Sequence, residues 1–179
     1  MKAEIRPLLD PDEVDDVASH FFKTVHNADI IGIDEAIHDL RSEKYQCHMS
    51  FLKNSDVAPN EHRLYHGTAP SNIPKIHIQG FNRNFAGING VLFGRGVYFA
   101  RDASYSVRYC PVGDGGLKKL CVCDVLVGEF SLGSANQPAP ARRSRSPATE
   151  ELCDSTVDNI RSPSIFVCYH DDQVCIVPL

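Results

Sequence analysis

Apolar residues at Val14, Val17, Ala18, Phe21 and Val25 keep the spacing of one helical face, so this stretch is expected to be an amphipathic helix packed on a sheet. Its start is written upstream in Asp10 as N-cap, Pro11 at the first helical position, and Asp12 and Glu13 at the positive end of the dipole. A second periodic stretch is expected from Asp34, with Ile37, Leu40, Cys47 and Phe51 sharing a face and His38, Arg41, Glu43 and Lys44 mostly outward. Asn54 to Glu61 turns to Asn, Ser, Pro and Asp, a loop, and Arg63 to His66 has the look of a strand. Ser71 is placed to cap a short helix carrying Ile73 and Ile76, stopped by Gly80.

Asn82 to Gly96 holds Gly87, Gly90, Gly94 and Gly96, which predicts a loop wrapped over something. Val97 to Ala100 is expected to be a buried strand, and Asp102 to cap a helical turn containing Tyr105, Ser106 and Tyr109. From Lys118 to Phe130 the alternation predicts a central strand with Cys121, Cys123, Val125 and Val127 on one face. Ser134 to Glu150, with Arg142, Arg143 and Arg145, is expected to be a solvated surface loop. Asp154–Asp158, Ser164–Tyr169 and Val174–Val177 complete the strands. Helices toward the N-terminus and strands toward the C-terminus predict an α+β fold with mixed or antiparallel sheets and N-terminal helices packed on them.

Composition narrows the picture. A chain of 179 residues, 42% of them apolar and 23% charged, has material for one globular domain with a real core, or a domain with a short flank. No secretory leader precedes the first helix, and no run of about eighteen apolar residues occurs, so the expectation is a soluble, intracellular protein, cytoplasmic or nuclear, without a membrane span. Seven cysteines, an odd and scattered set, argue for free thiols in a reducing compartment. Cys121-x-Cys123 has no partner pair at zinc spacing, so both thiols are expected to act as small hydrophobes and no metal is expected. A formal charge of −5 disfavours broad binding of a nucleic-acid backbone.

The candidate chemistry gathers in four pieces: His66-Gly67-Thr68, Gly94-Arg95-Gly96-Val97-Tyr98-Phe99-Ala100, Tyr105-Ser106-x-x-Tyr109, and Ser164-x-Phe166-Val167-x-x-His170-Asp171. Each alone has a plain reading: a structural histidine, core tyrosines, turn glycines. A strand–GxGxxG–helix unit for hydride-transfer cofactors is missing. In this order, however, the pieces resemble the catalytic domain of the poly(ADP-ribose) polymerase family, the diphtheria-toxin-like ADP-ribosyltransferases. Within it, the likeness is greatest to the mono-ADP-ribosylating, macrodomain-associated members. The resemblance implies an ADP-ribosyltransferase fold, with residues 1–179 as a single catalytic domain lacking the helical regulatory domain and therefore without direct dependence on DNA. It also implies NAD as a consumed co-substrate and protein acceptors that include the chain itself. Tyr98 and Tyr109 would grip the nicotinamide, and the Gly67 backbone with the Ser106 hydroxyl would hold its carboxamide. His66 would bond a ribose hydroxyl, Thr68 would sit on the adenosine side, and Asn82–Gly96 would form the donor loop.

The third catalytic position, after His66 and Tyr98, is a glutamate in polymerising relatives. Alignment on Phe166-Val167-Cys168-Tyr169 puts Ile165 there, and an isoleucine can neither bond a ribose hydroxyl nor act as a base. The expectation is a His-Tyr-Ile enzyme that transfers one ADP-ribose, with an acidic acceptor supplying its own carboxylate. A second reading stays open: an inactive NAD-binding or protein-interaction module on the same fold. Relatives close with a P-x-Y-L-I-x-F strand, whereas Gln173 here is followed by Val-Cys-Ile-Val-Pro-Leu; Pro178 predicts a short or edge strand. The Arg-rich Ala141–Pro147 has no counterpart in the pattern.

Overall fold

The computed structural model describes residues 2–82, 91–143 and 150–176. Its first helix, α1 (Pro11–Phe22), begins where its cap is written: the Asp10 carboxylate accepts from the N–H groups of Asp12 at 3.0 Å and Glu13 at 3.4 Å. Before it comes β1 (Ala3–Pro7), and after it β2 (Asp34–His38), the two pairing antiparallel as a small separate sheet. The chain continues through α2 (Asp39–Asn54), β3 (Glu61–Gly67), α3 (Ile73–Gln79), β4 (Val97–Ala100) and the short α4 (Ala103–Ser106). It ends in strands: β5 (Leu120–Leu126), β6 (Phe130–Leu132), β7 (Ser155–Val157), β8 (Ile165–Cys168) and β9 (Val174–Ile176).

Seven strands form the main sheet in the order β6-β7-β8-β4-β3-β5-β9, antiparallel throughout except for the parallel β6–β7 pair. Strand alternation sends successive residues to opposite faces, and helices cover both. On one face Tyr65 and Val122 meet Val17 of α1 and Ala103 of α4. On the other, Leu64, Cys121, Cys123, Val125, Phe99 and Phe166 form the main core, against which Ile73 and Ile76 of α3 pack. Tyr45 and Leu52 of α2 close the edge beside Leu126 and Cys175. The mixed α/β architecture with N-terminal helices on the sheet is as expected, and so is the shared face of Cys121, Cys123, Val125 and Val127. All seven cysteines are free thiols. None of the described helices is long and apolar enough to cross a membrane.

Several local expectations are corrected. The stretch from Asp34 begins as strand, because β1 offers Asp34–His38 a partner ladder, and the helix starts only at Asp39. Its buried face carries Tyr45 and Leu52, with Leu40, Cys47 and Phe51 exposed: the sheet edge rewards the larger Tyr45–Met49–Leu52 stripe. Ser71 does not cap α3; a 3-10 turn at Pro70–Asn72 leads into it, and the Asn72 amide is turned to Thr68 instead. Asp102 starts α4 through its carbonyl, not its carboxylate, which pairs with Arg101. The long strand expected to Phe130 breaks after Leu126, where Val127 and Gly128 donate back to Asn60 and Pro59. Arg143 is not solvated: it is 13% exposed and bonds both oxygens of Asp154 at 2.8 and 2.9 Å. Arg145, Val177 and Pro178, and most of the glycine-rich stretch, lie outside the described residues.

Gln173 ties the strand ends together. Fully buried, it accepts at Oε1 from the N–H groups of Tyr169 and His170 and donates through Nε2 to the carbonyls of Leu126 and Asp154. One side chain thus satisfies backbone groups at the ends of β5 and β8 and just before β7. Gln173→Leu, close in size but without polar atoms, should lower the unfolding free energy by about 3 kcal/mol or more in urea titration, since it strands these groups without partners.

Candidate functional site

The antiparallel ladder between β3 and β4 has a single pair, Tyr65 with Ala100. Beyond it His66–Gly67 and Val97–Phe99 diverge, and a cavity of about 500 Å³ opens between them, walled by α3 on one side and by Tyr105, Ser106 and Tyr109 on another. At the point of divergence side chains take over from the ladder. The carbonyl of Tyr98 can only accept, so Nδ1–H of His66 donates to it at 2.9 Å. The Ser106 hydroxyl donates to the Tyr65 carbonyl at 2.9 Å. Burial holds the His66 pKa below the ordinary imidazole value, against the opposing effect of the Tyr98 carbonyl. A neutral ring protonated on Nδ1 leaves Nε2 as a hydrogen-bond acceptor. Phe81 packs edge-on to this ring with centroids 4.9 Å apart, and Phe99 lies at 5.5 Å.

Gly67 sits where a Cβ would run into the Ser106 carbonyl, so only glycine lets these two segments meet. Thr68 is buried, its hydroxyl oxygen accepting from Asn72 at 3.1 Å. Tyr109, 37% exposed, stands at the cavity with its hydroxyl 3.1 Å from that of Tyr105, to which it donates. Tyr98 lines the same cavity and also clamps a loop: its hydroxyl accepts from the N–H of Phe93 at 2.9 Å and donates to the carbonyl of Gly94 at 2.8 Å. From the opposite side Thr156 donates to the Phe93 carbonyl at 2.7 Å. Gly94, at φ +133°, lies against the Tyr169 hydroxyl where a side chain has no room.

Of the residues expected at a site, His66, Gly67, Thr68, Tyr98, Ser106 and Tyr109 all line this cavity. Ile165 does not. It is 5% exposed and continues the cross-strand row Tyr65–Ala100–Ile165, so it sits next to Ala100, which does line the cavity. The carboxylate of Asp158, which bonds the Ile165 backbone, is engaged by the Ser164 N–H and hydroxyl and by the Ile165 N–H. Burial opposes its charge, but these bonds hold its pKa below the ordinary value. Sequence reasoning missed Asn72, Lys75, Phe81 and Tyr105 as cavity residues. The spacing of Asn72, Lys75, Ile76 and Gln79, one helical face, was the available signal. Chemically, the cavity offers flat aromatic walls, an acceptor imidazole, and backbone and hydroxyl groups at a glycine approach.

Comparison with known proteins bears on this geometry. The family model for the Poly(ADP-ribose) polymerase catalytic domain matches residues 12–161. The chain is 40% identical over 168 residues to protein mono-ADP-ribosyltransferase PARP10 of Mus musculus, covering 90% of this chain and 17% of that protein. It is 33% identical over 165 residues to protein mono-ADP-ribosyltransferase PARP14 of Homo sapiens, covering 90% of this chain and 9% of the relative. With protein mono-ADP-ribosyltransferase PARP11 of Mus musculus it shares 31% over 184 residues, 90% of this chain and 55% of the relative. The chain therefore spans only part of the length of each of these relatives.

Tyr98→Phe keeps the ring and removes both hydrogen bonds to the loop, so thermal or urea unfolding should report a loss of about 1–2 kcal/mol. Acid should also destabilise the chain. Burial depresses the pKa of His20, His48, His62, His66 and His77. Unfolded histidines titrate near about 6.5, so below that pH the unfolded chain takes up protons the native one refuses. Stability should fall as pH drops from about 7 to about 5.5, and an unchanged urea midpoint across that window would contradict the assignment.

Proposed function

The chain belongs to the poly(ADP-ribose) polymerase catalytic-domain family, and on that footing we propose that it transfers a single ADP-ribose from NAD to a protein side chain, releasing nicotinamide. The observation that carries the reading is the convergence of His66, Gly67, Tyr98, Ser106 and Tyr109 on one cavity at the parting of β3 and β4. In this reading Tyr98 and Tyr109 hold the planar nicotinamide ring, and the Gly67 backbone with the Ser106 hydroxyl holds its carboxamide. Ser106 exchanges its bond to the Tyr65 carbonyl for the ligand or accepts through its other lone pair. His66, with Nε2 as acceptor, receives a hydrogen bond from a ribose hydroxyl and fixes the sugar for attack, while Thr68 lies toward the adenosine.

The bond from nicotinamide nitrogen to the anomeric carbon breaks with its electron pair leaving on nitrogen, so the positive ring departs neutral. Charge builds on the ribose as in other oxocarbenium-like transfers. An ionised Glu or Asp of the acceptor protein supplies the pair for the new carbon–oxygen bond, and no base is needed to remove a proton. Growing a chain would require a ribose hydroxyl as nucleophile, which must lose its proton. Ile165 has no group to assist, and the Asp158 carboxylate beside it is occupied by Ser164 and the Ile165 N–H. Single transfer is therefore the outcome this arrangement favours. The mono-ADP-ribosyltransferase names of the relatives support the same reading.

Incubation with labelled NAD should put single ADP-ribose groups on acceptor proteins, the chain itself among them. His66→Ala should lower the rate by about 10²-fold. Long polymer ladders would overturn single transfer. Binding of NAD in calorimetry with no label on any protein would instead make the chain an NAD-binding module. Ile165→Glu by itself is not expected to yield long chains, because the acceptor side must also fit.

A further inference from the structure

The walls of the cavity come from residues between His66 and Tyr109, and the electrostatics of that stretch depart from the rest of the chain. The protein carries 23 Asp and Glu residues and a formal charge of −5, yet no acidic residue occurs between His62 and Arg101. Asp102, just beyond, is paired with Arg101. Among the described residues lining the cavity, Lys75 is the one Lys, Arg, Asp or Glu. It stands on α3 one turn from Asn72 and one turn from Gln79, both of which also line the cavity. Several other cations are matched with carboxylates: Arg63 with Asp16 and Asp124, Arg143 with Asp154, Arg101 with Asp102. Lys75 forms no ion pair with any described residue.

A cation on the wall of a cavity whose described lining carries no carboxylate suits an anion better than a neutral ligand. We propose that Lys75 recognises the diphosphate of the donor dinucleotide, pairing with its negative oxygens while the aromatic end of the cavity holds the nicotinamide. This rests on the donor reading above and adds to it the residue that supplies the charge. Along the chain the lining residues run from Gly67 through Thr68 and Asn72 to Lys75 and Gln79, which puts Lys75 on the α3 wall, apart from Tyr98, Tyr105 and Tyr109. A lysine acts here as a compact point charge on a flexible stem and needs no fixed fork geometry. Because the side chain is exposed, removing it should not disturb folding.

Calorimetry on the whole chain, with NAD, nicotinamide riboside and nicotinamide as three probes, tests the assignment. Lys75→Gln should raise the Kd for NAD by about 5- to 10-fold, at the lower end for a charge-assisted bond because the site is open to solvent. Lys75→Arg should restore most of the affinity. Nicotinamide riboside and nicotinamide, which lack phosphate, should bind the variant and the unaltered chain alike. Added salt should weaken NAD binding more in the unaltered chain than in Lys75→Gln. An unchanged Kd for NAD in Lys75→Gln, or an equal loss for the phosphate-free probes, would overturn the proposal while leaving the donor reading standing. Failure of the unaltered chain to bind NAD at all would overturn the donor reading, and this assignment with it.

Discussion

Two antiparallel strands that part company must find new partners for their backbone polar groups, and that requirement shapes the molecule at the end of β3. Past the Tyr65–Ala100 pair, the Tyr98 carbonyl is taken by an imidazole and the Tyr65 carbonyl by a hydroxyl. The side chains that satisfy the divergence are the same ones that line the opening. His66 and Ser106 are therefore held in place by the fold before any ligand arrives, each fixed through one polar atom with further capacity left. Tyr98 extends the arrangement outward, since its carbonyl anchors His66 and its hydroxyl anchors Phe93 and Gly94. Pre-organisation of this kind lowers the ordering cost of binding.

The opposite end of the sheet is pulled together where the cavity end is allowed to open. β5 and β7 are not neighbours in the sheet, yet Ser155 donates to the Val127 carbonyl, Asp154 bonds the Glu129 N–H, and Gln173 bridges to Leu126 and Asp154. These polar contacts are buried or half-buried, and their value lies in being complete: a half-satisfied network would cost more than an apolar core. Arg143 adds an ion pair with Asp154 at the rim of the same cluster.

What could be read from the sequence follows from how local the cause is. The N-cap of α1, the alternation of β5 and the strands carrying His66 and Tyr98 depend on nearest neighbours in the chain, and they stand as expected. The six cavity residues were legible because their motifs lie close in sequence and in a known order. Ile165 was legible as a position in an alignment but not as a side chain set back from the cavity, since that depends on how β8 pairs with β4. The strand at Asp34–His38 was hidden because its partner, β1, is distant in the chain. Arg143 was misjudged for the same reason: composition marks a surface loop, whereas burial was decided by Asp154 across a turn. Lys75 drew no notice alone, because its meaning depends on the acid-free surroundings.

The free thiols divide into classes that follow from the sheet. Cys47 stands exposed on α2, while Cys110, Cys121, Cys123, Cys153 and Cys168 are buried. Burial raises the pKa of each buried thiol, to about 12 for Cys121 and well above the ordinary value for Cys123, so little thiolate is present to react. A maleimide dye would thus enter first at Cys47, on a helix that contributes nothing to the cavity wall, giving a fluorescent handle without engineering. Slower labelling of the central thiols would then time the opening of the sheet itself, because Cys121 and Cys123 on β5 and Cys168 on β8 share one core and gain access to solvent only when it comes apart.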